Sequence, residues 1–241
     1  MKRAVITLTV FVTIACLFGC SRKEVYSAEK MTIYRMESET EGKQFYVEMT
    51  VPPVQMSEET KEFLLSVNPV TDYTIQLSDG THYGYHGMEG DDPFLYPHYF
   101  GSLDEMADSL CLDILTSDMA EYPESDKNFL AGYDTHSGTI RVMGVIPDIG
   151  KNYYILHREI CLCFEPYVIR YSFNQITDEA EHEIYEIVGG EQAHLFYDLS
   201  KKKGTVLLRL DGAYYMWELA GIKTVDDLYE FADSLYWMKG S

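Results

Sequence analysis

Alternation of apolar and polar residues, with a period of two, recurs along most of this chain. "MTIYRM" (Met31–Met36) and "QFYVEMTV" (Gln44–Val51) alternate and flank the polar "ESETEGK", which predicts a β-hairpin that Pro52-Pro53 terminates. "DYTIQL" and "HYGYHG" flank Ser78-Asp79-Gly80-Thr81, and Asp-Gly predicts a tight turn with positive φ at both central residues. "MEGDDPFLYPHYFG" reads as an irregular connection and "TSDMAEYPESDK" as a loop. Strand patterns then dominate, over 129–133, 139–146, 153–164, 168–173, 183–188, 191–198, 205–210 and 213–220. Gly189-Gly190 and Asp211-Gly212 are two-residue turns.

Helical spacing appears three times. Ser57 caps a short helix that stops at Asn68-Pro69. Ser102 and Glu105 form a capping box ahead of the stripe Leu103, Met106, Ala107 and Leu110. Thr224 caps a last helix to about Tyr236, with Val225, Leu228, Phe231, Ala232 and Leu235 on one face. The expected fold class is therefore α+β: mainly antiparallel β-sheet with a few short helices packed on one face and a C-terminal helix after a hairpin.

The first twenty residues follow another rule. Lys2 and Arg3 precede the uncharged, mostly apolar stretch Ala4 to Phe18, which is shorter than the roughly 20 residues that span a bilayer and fits the core of a secretory signal. Leu17-Phe18-Gly19-Cys20 resembles the lipobox of bacterial lipoproteins. In that family the cysteine thiol receives a diacylglyceryl group and a peptidase cuts just before it. The resemblance implies a signal peptide over 1–19, a mature N-terminus at lipidated Cys20, and an extracytoplasmic, membrane-anchored protein. Residues 20–30 read as a polar tether of roughly 30 Å when extended. Beyond it we expect an N-terminal α+β region over 31–111. A C-terminal β-rich module with the final helix covers 112–241 and is able to pack as one unit with the preceding region.

Charge narrows the partners. The net charge is −20, and removal of Lys2 and Arg3 with the signal makes it −22. Phosphates would be repelled by the acidic body, so neither nucleic acid nor an anionic surface is expected as its partner, while Arg22 and Lys23 beside Cys20 suit anionic headgroups. Of five cysteines, Cys16 leaves with the signal and Cys20 takes the lipid. Cys111, Cys161 and Cys163 remain, an odd number without a disulfide framework. Cys161 and Cys163 fall on one face of a strand and read as buried thiols.

The segment "IVGGEQAHLFYDLSKKKGTVLLRLDGAYYMWELAGIKTVDDLYEFADSL" resembles the end of the bacterial domain of unknown function 4367. The matching parts are Gly189-Gly190-Glu191-Gln192-Ala193, Asp211-Gly212-Ala213-Tyr214-Tyr215 and Ala232-Asp233-Ser234-Leu235. Leu208-Arg209 stands where that family often carries a tryptophan. The resemblance implies an extracytoplasmic α+β module and supplies no catalytic residues. "IQLSDGTHYGY…EMADSL" also echoes "LLRLDGAYYMW…EFADSL", although the two turns put apolar residues on opposite faces.

Catalytic motifs are missing: no Gly-x-Ser-x-Gly, no His-Glu-x-x-His and no phosphate loop. His82 and His86 on a strand stand about 13 Å apart, so only a bend at Gly84 would join them with His98, Glu89, Asp91 and Asp92 in a weak metal site; the plain reading is a wet loop with ordinary histidines. Glu121, Glu124 and Asp126, like Glu181-His182-Glu183, read as solvated acids. No cofactor and no metal are expected, and the chain is not expected to be an enzyme. The Asp211-Gly212 turn pairs Leu210 with Ala213, Leu208 with Tyr215 and Val206 with Trp217, an apolar face for the last helix to cover. The opposite face offers Arg209, Tyr214 and Met216 as an interaction patch. The functional expectation is a lipid-anchored, non-catalytic module that binds or senses a protein or small-molecule ligand at the cell surface. The alternatives are an envelope hydrolase using scattered carboxylates and a lipid or lipoprotein carrier with an apolar hollow.

Overall fold

A computed structural model describes residues 20–38, 42–80, 82–86, 93–145, 154–173, 180–187 and 189–240. The chain divides into two units that interleave: Met1–Thr50 with Val168–Ala180, and Val51–Tyr167 with Glu181–Ser241. This differs from the expected division at residue 111, because the helix 103–110 belongs to the same core as the C-terminal strands.

The first unit is a four-stranded sheet in the order β1-β2-β3-β11, from β1 (Cys20–Ala28), β2 (Met31–Ser38), β3 (Gly42–Val51) and β11 (Tyr167–Phe173). The hairpin β2–β3 is as its alternation predicts, with Ile33 opposite Val47 and Met31 opposite Met49. Met31, Ile33, Phe45, Val47 and Met49 are buried, the apolar half of the period-two pattern. The segment expected to be a tether is instead strand β1, paired antiparallel with β2 from Cys20↔Ser38 to Ala28↔Met31, with a bulge between Glu24 and Tyr26. Its pattern does not alternate, with Ser21 to Glu24 all polar and Val25 and Tyr26 adjacent at the bulge, so period two could not reveal it; an edge strand has only to supply backbone donors and acceptors.

The second unit is built on an eight-stranded antiparallel sheet in the order β12-β13-β14-β15-β10-β9-β8-β6. Its strands are β6 (Leu95–Phe100), β8 (Phe129–Asp134), β9 (Thr139–Gly144), β10 (Tyr154–Cys163), β12 (Glu181–Glu186), β13 (Gln192–Asp198), β14 (Lys203–Leu210) and β15 (Ala213–Ala220). Two ribbons accompany it: β4 (Asp72–Gln76) with β5 (His82–His86), and β7 (Ile114–Ser117) with β16 (Leu235–Met238). Strand β6 lies within the stretch expected to be irregular. It is an edge strand, where Pro97 is tolerated.

Among the described residues there are three helices: α1 (Glu58–Leu64), α2 (Leu103–Leu110) and α3 (Asp226–Asp233). Ser57 and Ser102 cap α1 and α2 through Thr60 N–H at 3.0 Å and Glu105 N–H at 3.1 Å. At α3 the expected Thr224 cap is replaced. The Asp227 carboxylate reaches back and accepts from the Lys223 and Thr224 N–H groups. The helix also ends earlier than its pattern suggested, because Leu235 already belongs to β16.

The hairpin β14–β15 has the predicted register, Leu210↔Ala213, Leu208↔Tyr215 and Val206↔Trp217. Its turn is not of the expected kind, since only Gly212 has positive φ, at +79°. The turn is gripped by its surroundings: Gly212 N–H donates to the Pro52 carbonyl at 2.8 Å and Cys163 N–H to the Gly212 carbonyl at 2.7 Å. Trp217 is 1% exposed and meets Phe231 of α3 edge-on at 5.7 Å. Helix α3 approaches β14 closely at Gly204, where a β-carbon would lie 2.6 Å from Leu228 Cδ2. Leu103, Met106, Ala107 and Leu110 of α2 join this core, and the Thr60 hydroxyl ties α1 to it by donating to the Leu110 carbonyl at 2.7 Å.

The two similar segments share a local order of elements. After each Ala-Asp-Ser-Leu helix the chain turns into a strand, and these two strands pair with each other, Leu235↔Ser117 through Met238↔Ile114. The two Asp-Gly hairpins are not equivalent, because β4–β5 stands apart from the large sheet that contains β14–β15.

Candidate functional site

The best-built polar groups of the second unit lie on β12 and β13, one cluster on each face. Alternation places Glu183 and Tyr185 on one face of β12 and His182 and Ile184 on the other. On the first face the Glu183 carboxylate accepts the Tyr197 hydroxyl at 2.5 Å and also the hydroxyl of Tyr229 from α3. Tyr185 donates to Asp233 at 2.8 Å and stacks on Tyr229, with ring centres 4.7 Å apart. Tyr229 and Asp233 are four apart on the helix and Glu183 and Tyr185 two apart on the strand. Each spacing keeps its pair on one face, so the two pairs engage together.

These bonds set the protonation states. The Tyr197 and Tyr229 hydroxyls hold the Glu183 carboxyl below the usual range. Tyr229, donating to that carboxylate, is pushed up to about 12, and Tyr197 is raised by burial and by the same carboxylate. Tyr185 is raised by its bond to Asp233.

On the second face His182 Nε2 and His194 Nδ1 are 3.1 Å apart, and their rings are nearly parallel. His182 also stacks on Phe196 at 4.8 Å, its register partner. Burial lowers both imidazoles to about 4. A neighbouring His182 and the Arg209 cation add to the effect at His194. Both rings are thus neutral at pH 7, and one N–H serves the other ring. Arg209, on the adjacent strand β14, is half-buried, and its Nη1 has no hydrogen-bond partner among the described residues.

The expected patch fails as an open surface. Tyr214 is 4% and Met216 1% exposed, and Leu207 beside Met216 is buried too. The register was correct, but the second face of this hairpin is covered as well as the first. His182 was expected at the surface and is half-buried within its cluster. Cys161 and Cys163 are buried and not joined in a disulfide, as expected, while Cys111 is exposed at the left-handed C-terminus of α2. Cys20 opens β1.

The other sequence candidates do not converge. His98 is buried, stacks on Phe63 at 4.6 Å and sits 2.9 Å from the Leu64 carbonyl, a satisfied core histidine. His82 and His86 occupy opposite ends of β5, while Glu89, Asp91 and Asp92 lie outside the described residues. Glu121, Glu124 and Asp126 are exposed. Asp126 lines an open polar hollow of about 530 Å³ formed by Gln76 to Gly80 and Ser125 to Lys127. Among the described residues no group of three or more His, Cys, Asp or Glu side chains is arranged to hold a metal ion. No described helix is long and apolar enough to cross a membrane.

Comparison with protein-family models, with curated proteins and with solved structures finds no match to this chain.

Proposed function

We propose that the protein is an extracytoplasmic lipoprotein, anchored by a lipid on Cys20, that binds or senses a protein or small-molecule ligand without chemical turnover. The observation that carries the anchor is Leu17-Phe18-Gly19-Cys20 after a basic start and a short apolar run. The resemblance of the C-terminal third to the domain of unknown function 4367 agrees with this location.

The state of the polar clusters supports binding over catalysis. A proton-transfer group works best with its pKa near the working pH. Here burial lowers His182 and His194 to about 4, the Tyr197 and Tyr229 hydroxyls hold Glu183 below its ordinary range, and Tyr229 and Tyr197 are raised. Each shift leads away from neutrality, as in clusters that hold shape. The interior between sheet and helices of the second unit is filled by Trp217, Phe231, Tyr215 and Met106, which does not favour a lipid carrier with its hollow there.

Metabolic labelling with a palmitate analogue tests the reading. Wild type should be labelled and found with the membrane fraction, and Cys20→Ala should be neither. Equal labelling of both proteins would remove the anchor and the location with it.

A further inference from the structure

We propose that the lipidated end of this protein is a strand of the folded body, so that the first unit rests directly on an anionic bilayer surface with no spacer between. This rests on the lipoprotein reading and adds to it a defined membrane-facing corner. Strand β1 begins at Cys20 itself. Its register with β2 starts at once: Cys20↔Ser38, Ser21↔Glu37, Arg22↔Met36, Lys23↔Arg35. Opposed residues of an antiparallel pair have Cα atoms about 4.5 to 5.5 Å apart. A diacylglyceryl group on Cys20 therefore holds position 38 at the headgroup layer. Gly42 is the β3 partner of Ser38, so the same corner of β3 is held there as well.

A ten-residue extended tether would let the body stand off by roughly 30 Å. Eight cross-strand pairs leave no such freedom. The opposite end of the hairpin, at Ser27↔Thr32, lies about 23 Å along the strand from Cys20, at about 3.3 Å per residue.

The charges next to the lipidated residue are basic, although Glu24 and Glu37 stand on the same two strands and the chain is acidic overall, so the attraction is local to the anchor. Arg22 and Lys23 follow the lipidated residue within β1. Lys23 is exposed and faces Arg35 across the ladder. Two cations opposite each other disfavour the pairing unless an anion lies beside them. Arg35 is itself held in place, with Nη2 donating to the Ala180 carbonyl at 2.5 Å and its guanidinium over the Phe45 ring. An anionic headgroup layer relieves that repulsion and attracts the basic residues that lie beside it.

The test uses the full-length protein, lipidated in cells, purified and reconstituted into vesicles of phosphatidylcholine and phosphatidylglycerol. Three readouts are taken: the mass of the N-terminal peptide, hydrogen exchange of the β1 amides, and quenching by acyl chains brominated near the headgroup. The tryptophan reporters are Ser38→Trp and Ser27→Trp, with signals taken relative to the parent chain. The expected result is an acylated Cys20 peptide, slow exchange at the β1 amides bonded to β2, and loss of at least half the added Ser38→Trp emission. Replacing phosphatidylglycerol by phosphatidylcholine should weaken that quenching. An acylated protein whose β1 amides exchange as fast as free chain, or whose Ser38→Trp signal is unquenched, overturns the docked strand and leaves the anchor standing. A Cys20 peptide without lipid overturns the anchor itself. Quenching indifferent to headgroup charge removes the anionic surface and keeps the corner.

Discussion

Tyr185 donates its hydroxyl hydrogen to Asp233 at 2.8 Å, joining an edge strand of the large sheet to the C-terminal helix. Beside it Glu183 takes the hydroxyls of Tyr197 and Tyr229. Edge strands are weakly held, and this one has a sheet neighbour on one side only. The tyrosine–carboxylate contacts give β12 a second attachment through side chains.

Tyr229→Phe should remove one donor from Glu183 without disturbing the stack on Tyr185. A loss of about 1 kcal/mol is expected, since a hydrogen bond to a charged group is being removed at a partly solvated site. Urea denaturation measures it, and the double variant Tyr229→Phe/Glu183→Gln should lose less than the sum of the two single changes. Full additivity would show that the bond contributes nothing.

Acid should destabilise the fold before its carboxylates titrate. His182 and His194 bind a proton more weakly when folded, at about 4, than the ordinary value of 6.5. As pH falls the unfolded chain takes up protons first, so stability is complete above about 6.5 and drains away towards 4. His98, lowered by burial, acts in the same direction. Glu183, held below its ordinary 4.5, adds its own loss only at lower pH. Denaturation curves from pH 7 to 4.5 should show a slope that His182→Gln/His194→Gln flattens. A slope unchanged in the double variant would mean the imidazoles titrate normally.

Trp217→Ala should cost about 3 to 5 kcal/mol, as for other large-to-small changes in a packed core. Trp237→Ala should cost far less, because Trp237 is 41% exposed and meets Tyr215 edge-on. Thermal melts of the two variants compare them directly, and equal losses would contradict the burial.

The two Asp-Gly turns should respond differently to alanine. Both glycines have positive φ, +85° at Gly80 and +79° at Gly212, so each change costs about 1 kcal/mol or more in backbone strain. A β-carbon at Gly80 meets nothing within 4 Å, but at Gly212 it collides with the Val54 side chain. Gly212→Ala should therefore be the more destabilising, and Val54→Ala should recover part of the difference. Recovery at Gly80→Ala as well would count against this contact.

Thiol reagents should separate the cysteines. Exposed Cys111 should react with a maleimide in the folded protein, and buried Cys161 and Cys163 only after denaturation. Mass spectrometry of labelled peptides reads the order.

The sequence disclosed this fold where period and turn chemistry agree. Val206, Leu208 and Leu210 against Ala213, Tyr215 and Trp217 could be paired by counting from Asp211-Gly212, and the structure has that register. Strand β1 was illegible, because a strand with polar side chains on both faces leaves no alternation to read. The candidate site was largely illegible for a different reason. Glu183 and Tyr229 are 46 residues apart, and His182 meets His194 only because β12 and β13 pair in one register. Residue spacing shows which side chains share a face, and it is silent on which faces meet. The burial of Tyr214 and Met216 is a different case: "AYYMWELA" is apolar at every position but Glu218, and such a near-continuous run marks a strand covered on both faces.

The interleaved path of the chain has a consequence for its synthesis. Strands β1, β2 and β3 emerge first, yet β3 gains its other neighbour, β11, only when Val168–Phe173 is made. Throughout translation of Val51–Tyr167 the N-terminal sheet carries an open edge along β3. Strand β7 waits longer still, because its partner β16 is nearly the last segment produced. A nascent chain halted before residue 168 would therefore expose the unpaired edges of β3, β7 and β10, whose partner β15 is also still to come, and such edges are where chaperones and aggregating neighbours attach.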